Sequence, residues 1–234
     1  MAENPKASEH DPAKRFIVKT LDPKDPDLEK YKRQLTALNR KLWLNQFSHY
    51  SVAEGSNPSA SQTGYTIPHE YSPMPIRLSR LLQPGTAGKM FLAVNQENNL
   101  VGYCETTLYQ TENDIELRFP LNNFTAQASQ ALIQPHVEIR EIAVDPEHVF
   151  DREISGRRSP SASLLQAVEQ DSQAQGIRYV FAWIIGHGGP NIPNKKSWRF
   201  FTASDYQPVA TTSDSDIEGT KAVAMLKQFN SKPS

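Results

Sequence analysis

The residues with most to offer chemically stand in two stretches. The first is DREISGRRSPSASLL, residues 151–165. Arg152, Arg157 and Arg158 precede Ser159 and Ser161 where a helix is expected to begin. The free N–H groups and dipole of a helix start suit an anion. Arginine forks add charge-assisted hydrogen bonds to phosphate oxygens, and serines supply hydroxyl donors and N-caps. Pro160 removes one amide from such a cradle. A solvated basic loop ahead of a Ser-capped helix is the alternative on local chemistry. The second stretch is HVEIREIAV, residues 136–144. Strict strand alternation puts His136, Glu138, Arg140, Ile142 and Val144 on one face, and Val137, Ile139, Glu141 and Ala143 on the other. A glutamate in a partly dry cleft has its pKa raised and can take a proton from an amine, directly or through water. An Arg-paired structural acid is the competing reading of Glu138.

Other chemistries find no support. His136, His148 and His187 lack the spacing of a metal site, and none is expected. Gly186-His187-Gly188-Gly189 has no G-x-S-x-G elbow to serve, and no phosphate-binding G-x-x-x-x-G-K-[ST] occurs. The single cysteine, Cys104, lies in the apolar run LVGYCETTLY and reads as a buried thiol. The net charge of -1 gives no bulk attraction to nucleic acid or anionic membrane. The polar N-terminus has no apolar signal core, and no run reaches the length of a membrane span. A cytoplasmic protein is expected, monomeric or homodimeric.

These groups must be held by elements that the pattern foretells. Residues 1–13 read as a disordered tail. RFIVKTL is a strand, and Leu28, Tyr31, Leu35, Leu38 and Leu42 recur at helical spacing. Residues 48–75, rich in Ser, Pro and Gly, form a long loop whose Tyr50, Tyr65, His69 and Tyr71 either line a substrate entrance or pack on the surface. IRLSRLLQ is a short amphipathic helix, and residues 89–110 are two strands about the turn NQENN. An insert at 110–135 holds one short helix near Ala126–Leu132. Then follow the strand 136–146, a helix ending at Gly176, and IRYVFAWIIG, apolar throughout as a strand buried on both faces should be. A short helix in NKKSWRFFTASDY and the strands YQPVATT and KAVAMLKQF close the chain. A mixed α/β sheet follows, with a strand–helix–strand crossover over 137–185.

In this order the pieces resemble the GNAT superfamily of acyl-CoA-dependent N-acyltransferases. EIREIAVDPEH resembles the family's fourth strand and its exit. SASLLQAVEQDSQAQGIRYVFAWI resembles the helix and strand after the CoA pyrophosphate loop, NKKSWRFFTASDYQPV the late helix, and FLAVNQENNLVGYCETTLY the hairpin. The resemblance implies a central mixed, mostly antiparallel twisted sheet flanked by helices. It implies one domain over 14–230 with inserts at 48–75 and 110–135. It further implies acetyl-CoA, or another acyl-CoA, as co-substrate and a small-molecule or peptide amine as acceptor, joined by direct attack in a ternary complex. Carried over position by position, Arg152, Arg157, Arg158, Ser159, Ser161 and Ala162 would hold the pyrophosphate. Ile142, Ala143 and Val144 would hold the pantetheine and polarise the thioester, where the strand carrying them splays from the one containing Ala182–Ile185. Asn194, Ser197 and Phe201 fall on the late-helix pattern. Glu138 aligns with a strand position that carries the base in some members, with Glu141 the second candidate and Tyr206 a candidate acid. The sequence departs from the family pattern at several points. The loop motif reads Gly156-Arg157-Arg158-Ser159-Pro160-Ser161, with serines where glycines are usual. Phe201 stands where a proton-donating tyrosine is frequent, and Asp205 where glycine is usual. A divergent domain that binds a CoA ester, or runs other chemistry in the same cleft, is the alternative.

Overall fold

The computed structural model describes residues 16–46, 73–110, 125–148, 159–185, 195–211 and 222–230. The tail at 1–13, most of both inserts, Arg152, Arg157, Arg158 and Asn194 lie outside them.

The elements are β1 (Phe16–Thr20), α1 (Leu28–Gln46), α2 (Met74–Leu81), β2 (Gly88–Asn95), β3 (Leu100–Tyr109), α3 (Ala126–Leu132), β4 (His136–Val144), α4 (Pro160–Ala174), β5 (Tyr179–Ile185), α5 (Lys195–Thr202), β6 (Gln207–Thr211) and β7 (Ala222–Gln228). A single 3₁₀ turn, Pro146–His148, follows β4. The strands form one seven-stranded sheet in the order β1-β2-β3-β4-β5-β7-β6. Every pairing is antiparallel except that of β4 with β5, the pair joined through α4. A parallel pair needs such a crossover, because a tight turn cannot reverse the chain twice.

Local chemistry accounts for the element ends. Ser159 caps α4 by accepting the Ala162 amide, with Pro160 at the first helical position, where its missing N–H costs nothing. Gly176, at φ +74°, stops the helix in the left-handed region. The β2–β3 turn uses Asn98 at φ 60° in the same way. Asp205 sits at φ 65°, so the place where the resembled family carries glycine does require a left-handed residue, and aspartate fills it here.

Helices cover both faces of the sheet. On one face α4 and α5 pack over a core that includes Cys104, Val137, Ile139, Leu164, Val168, Val180, Ile184 and Phe201. On the other, α1 and α2 cover β1–β3 through Tyr31, Leu35, Met74, Leu78, Leu92 and Tyr103. On that same face α3 covers β5–β7 through Ala128, Ala131, Phe181 and Leu226. Tyr31 and Leu35 are fully buried, so the helical period read along α1 is its core stripe. Among the described residues no helix is long and apolar enough to cross a membrane. Between the two apolar clusters on this second face the surface of β3 and β4 is polar, and the candidate site lies there.

Candidate functional site

β4 and β5 run side by side only from His136↔Tyr179 to Ile139↔Ala182. Beyond that rung β5 continues to Ile185 against β7, and β4 continues to Val144 against β3. The two strands therefore part, leaving a gap edged by residues 140–144 of β4 and 183–185 of β5. The expected splay is present, and it begins one residue past Ala182.

A β-bulge sits at the start of the gap. Glu105 of β3 faces Glu141, yet the next residue, Thr106, faces Ile139, so Arg140 is the extra residue of β4. The bulge overturns the strict alternation expected from sequence. Val137, Ile139, Ile142 and Val144 all turn to the α4 side, where they join or pack against its core. Glu138, Glu141 and Ala143 share the opposite face with Tyr103, Glu105 and Thr107. Glu138 and Glu141 thus lie on one face, not two. The signal was in the pattern: the apolar residues are spaced two, three and two apart, and the three marks the bulge.

Past the bulge, the direction of the backbone groups follows from the ladder. Asp145 donates its N–H to the Val101 carbonyl at 2.9 Å. A methyl group at Gly102 would lie 2.8 Å from the Ala143 carbonyl, so that oxygen also faces β3. Alternate residues of an antiparallel strand address the same neighbour. Ile142 and Val144 therefore direct their N–H and C=O groups into the gap, where β5 no longer meets them. Ala143 points its side chain to the α1–α2 side and is buried.

The two glutamates differ in setting. Glu138 is 7% exposed and accepts from Arg140 at 3.0 Å, and Arg140 also donates to the Tyr109 hydroxyl at 3.1 Å. Glu138 lies level with Phe181, inside the closed part of the ladder. Glu141 lies past the last rung, with its side chain 30% exposed, and pairs with Arg77 Nη1 at 2.6 Å. Arg77 comes from α2, is 8% exposed, and gives Nε to Glu105 at 2.6 Å and Nη2 to the same carboxylate oxygen. Burial lowers the Arg77 pKa, but Glu141 and Glu105 outweigh it and hold the guanidinium above its ordinary value. The Tyr103 hydroxyl receives a hydrogen bond from Asn39 Nδ2 at 2.9 Å. Burial, ahead of the Glu141 charge, pushes that hydroxyl well above the usual tyrosine value, so it stays protonated.

Arg77, Glu105, Tyr103 and Asn39 were not foreseen. Arg77 had a signal: Met74, Arg77, Leu78 and Leu81 form one helical stripe, and an arginine in an apolar stripe must find acid partners.

α4 runs antiparallel to the strands it connects, so its N-terminus lies at the C-terminal end of β4, by the gap. There Ser159 Oγ accepts from Ala162 N at 3.3 Å and lies 3.1 Å from Ser161 Oγ. The Ser163 amide is used by the Ser159 carbonyl, and the Ser161 amide points out of the helix end. Ser197 is half-buried on α5. Phe201 is buried in the core, edge-on to Tyr206 with ring centres 5.2 Å apart. Tyr206 corrects the expectation of a proton donor at the cleft. It is 2% exposed, and Lys227 lies 5.6 Å over its ring. Lys227 pairs with Val180, near the start of β5 and away from the gap. Burial, then the Glu169 charge, raises the Tyr206 hydroxyl well above its ordinary value. Cys104 is fully buried and its thiol is pushed up by desolvation, as a core residue should be.

No family sequence model and no curated protein matches the chain. Solved structures do match in three dimensions. An aminoglycoside 6'-N-acetyltransferase from Enterococcus faecium superposes with a TM-score of 0.55 at 14% identity, over 93% of this chain and 99% of its own. An aminoglycoside 6'-N-acetyltransferase complexed with coenzyme A gives the same values. A chain from Desulfovibrio desulfuricans assigned to the GNAT family of acetyltransferases gives 0.51 at 15% identity, over 92% and 99%. At these identities the likeness is one of fold, and the chain has the GNAT fold, the mixed, mostly antiparallel sheet that its sequence resembled.

Proposed function

We propose that the protein is an acyl-CoA-dependent N-acyltransferase that transfers acetyl to a small amine. The observation that carries this reading is the gap between β4 and β5, into which the Ile142 and Val144 backbone groups point. An extended pantetheine arm could pair there as an added strand, with an amide from β4 set to polarise the thioester carbonyl. The fold neighbours support it, being acetyltransferases, one of them bound to coenzyme A. The α4 N-terminus, with Ser161, Ala162 and Ser159, would take the pyrophosphate, with Arg152, Arg157 and Arg158 as further anion donors and Asn194 and Ser197 flanking the CoA arm.

In this reading the neutral amine nitrogen attacks the thioester carbonyl carbon. The C–N bond forms, the C–S bond breaks, and CoA leaves as a thiolate. The amine proton passes to a carboxylate, and the thiolate takes a proton from water, since Phe201 has none to give and Tyr206 is enclosed. Glu141 is the better base. Both carboxylates are ion-paired, but Glu141 lies past the last β4–β5 rung with its side chain 30% exposed, whereas Glu138 pairs with Arg140 inside the closed ladder at 10%. Glu138 then shapes the acceptor wall.

The test is release of free CoA thiol from acetyl-CoA against a panel of primary amines. Glu141→Gln should lower kcat/KM by roughly 10²-fold, the usual contribution of one general base. Glu138→Gln should cost less. Equal activity of the wild type and Glu141→Gln would remove Glu141 from this role. Absence of turnover with every amine, together with retained acetyl-CoA binding, would favour the divergent reading: a domain that binds a CoA ester without transferring its acyl group.

A further inference from the structure

We propose that Arg77 is a positioning residue on the acceptor side of this site: one guanidinium, delivered by α2, spans Glu105 and Glu141 and fixes the Glu141 carboxylate on the strand that edges the gap. The inference rests on the reading of Glu141 as the base.

The geometry is a divided fork. Glu105 takes two of the guanidinium nitrogens, Nε and Nη2, on one oxygen, and its side chain is 13% exposed. Glu141 receives only Nη1 at 2.6 Å and keeps its 30% exposure. Glu105 is therefore the anchor that locks the guanidinium, and Glu141 is the group the guanidinium presents. An ionised carboxylate offers about four acceptor directions, and the single contact from Arg77 leaves room for an amine N–H. The bulge at Arg140 is what brings Glu141 onto this face at all. Without the fork, two carboxylates would face each other on adjacent strands with no cation between them, and like charges at that spacing cannot both stay ionised cheaply.

The charged and titratable groups around Glu141 are Arg77 from α2, Tyr103 and Glu105 from β3, and Glu138 with its partner Arg140 on β4. Removing Arg77 and removing Glu105 should therefore act on Glu141 with opposite signs. Losing the cation favours its protonated form. Losing the rival carboxylate leaves the whole guanidinium to Glu141 and favours its ionised form.

The experiment is a pH titration of the glutamate side-chain carboxyl carbons by NMR on the full-length chain, with Glu141→Gln assigning the resonance. Relative to wild type, Arg77→Gln should move the Glu141 midpoint up, and Glu105→Gln should move it down. Arg77→Lys, which keeps the charge and loses the fork, should fall between Arg77→Gln and wild type. If Arg77→Gln does not fold, the Glu105→Gln and Arg77→Lys shifts decide alone. A Glu141 midpoint unmoved in Glu105→Gln, or moved up, overturns the proposal, because an arginine that only ties α2 to the sheet would lower the melting temperature without that shift. In turnover, the acidic limb of kcat/KM for the amine should follow the same directions while KM for acetyl-CoA stays within twofold. A chain that acetylates no amine but shows the opposed shifts would disprove the transferase reading and leave the divided fork standing.

Discussion

The polar residues on the β3–β4 face act in pairs, and His136 shows how burial sets the state of one of them. Its Nδ1 lies 2.9 Å from the Gln134 carbonyl, to which it donates, and its ring stacks on Tyr109 at 5.3 Å and meets Phe181 edge-on at 5.2 Å. Desolvation lowers its pKa by more than the Gln134 bond raises it. The unfolded chain therefore takes the proton first as pH falls. Stability is full above the unfolded-state value near 6.5 and is lost as pH drops below it toward the folded value, by at most about 1.4 kcal/mol per pH unit. Urea unfolding between pH 7.5 and 5 should show this slope, and His136→Phe, which keeps the stacking, should flatten it. An unchanged slope would place the dependence on other groups. Both site glutamates and the helix-cap serine were legible as chemistry in the sequence. Their partners were not, because ion pairing across α2, β3 and β4 depends on register, which residue type alone does not give. Arg77 was the exception that pattern could have yielded, as a charge inside an apolar stripe.

Elements were more legible than residues. The helical period of α1, the Ser159 cap of α4, the Gly176 stop and the unbroken apolar run of β5 each arise from local chemistry, and each stands where that chemistry put it. The short helix expected near Ala126–Leu132 is also present, capped by Thr125. The bulge was missed because strict alternation was imposed on IREIAV, although that reading would have put Glu141 on the α4 core face. Gly102 shows what the edge of the gap demands. A methyl group there would lie 2.8 Å from the Ala143 carbonyl and 3.1 Å from Val144, so β4 must move to accept it. Gly102→Ala should cost about 1–3 kcal/mol in urea unfolding, the usual range for overpacking. Gly88→Ala meets only the end of the Leu81 side chain, which can swing away, and should cost less. Equal losses would mean that the β3–β4 seam is not rigid.

At the scale of the whole molecule, one parallel pair in an otherwise antiparallel sheet creates the site. The crossover through α4 brings a capped helix start to the same end of the sheet at which β4 and β5 separate, and the bulge puts Glu141 on the face that α1 and α2 cover. Sequence order foretold the crossover, since strand–helix–strand units close in one way. The separation itself was legible only through resemblance, because no side chain announces where a ladder stops. The central claim is that this gap holds an acyl-CoA, and thermal unfolding of the full-length protein with and without acetyl-CoA tests it most directly. Ligand at ~100 times its dissociation constant stabilises a native state by about 2.7 kcal/mol, which for a chain of this size is a rise of roughly 5–10 °C. The account predicts that rise with both acetyl-CoA and CoA. An unchanged melting temperature at millimolar acetyl-CoA would contradict it.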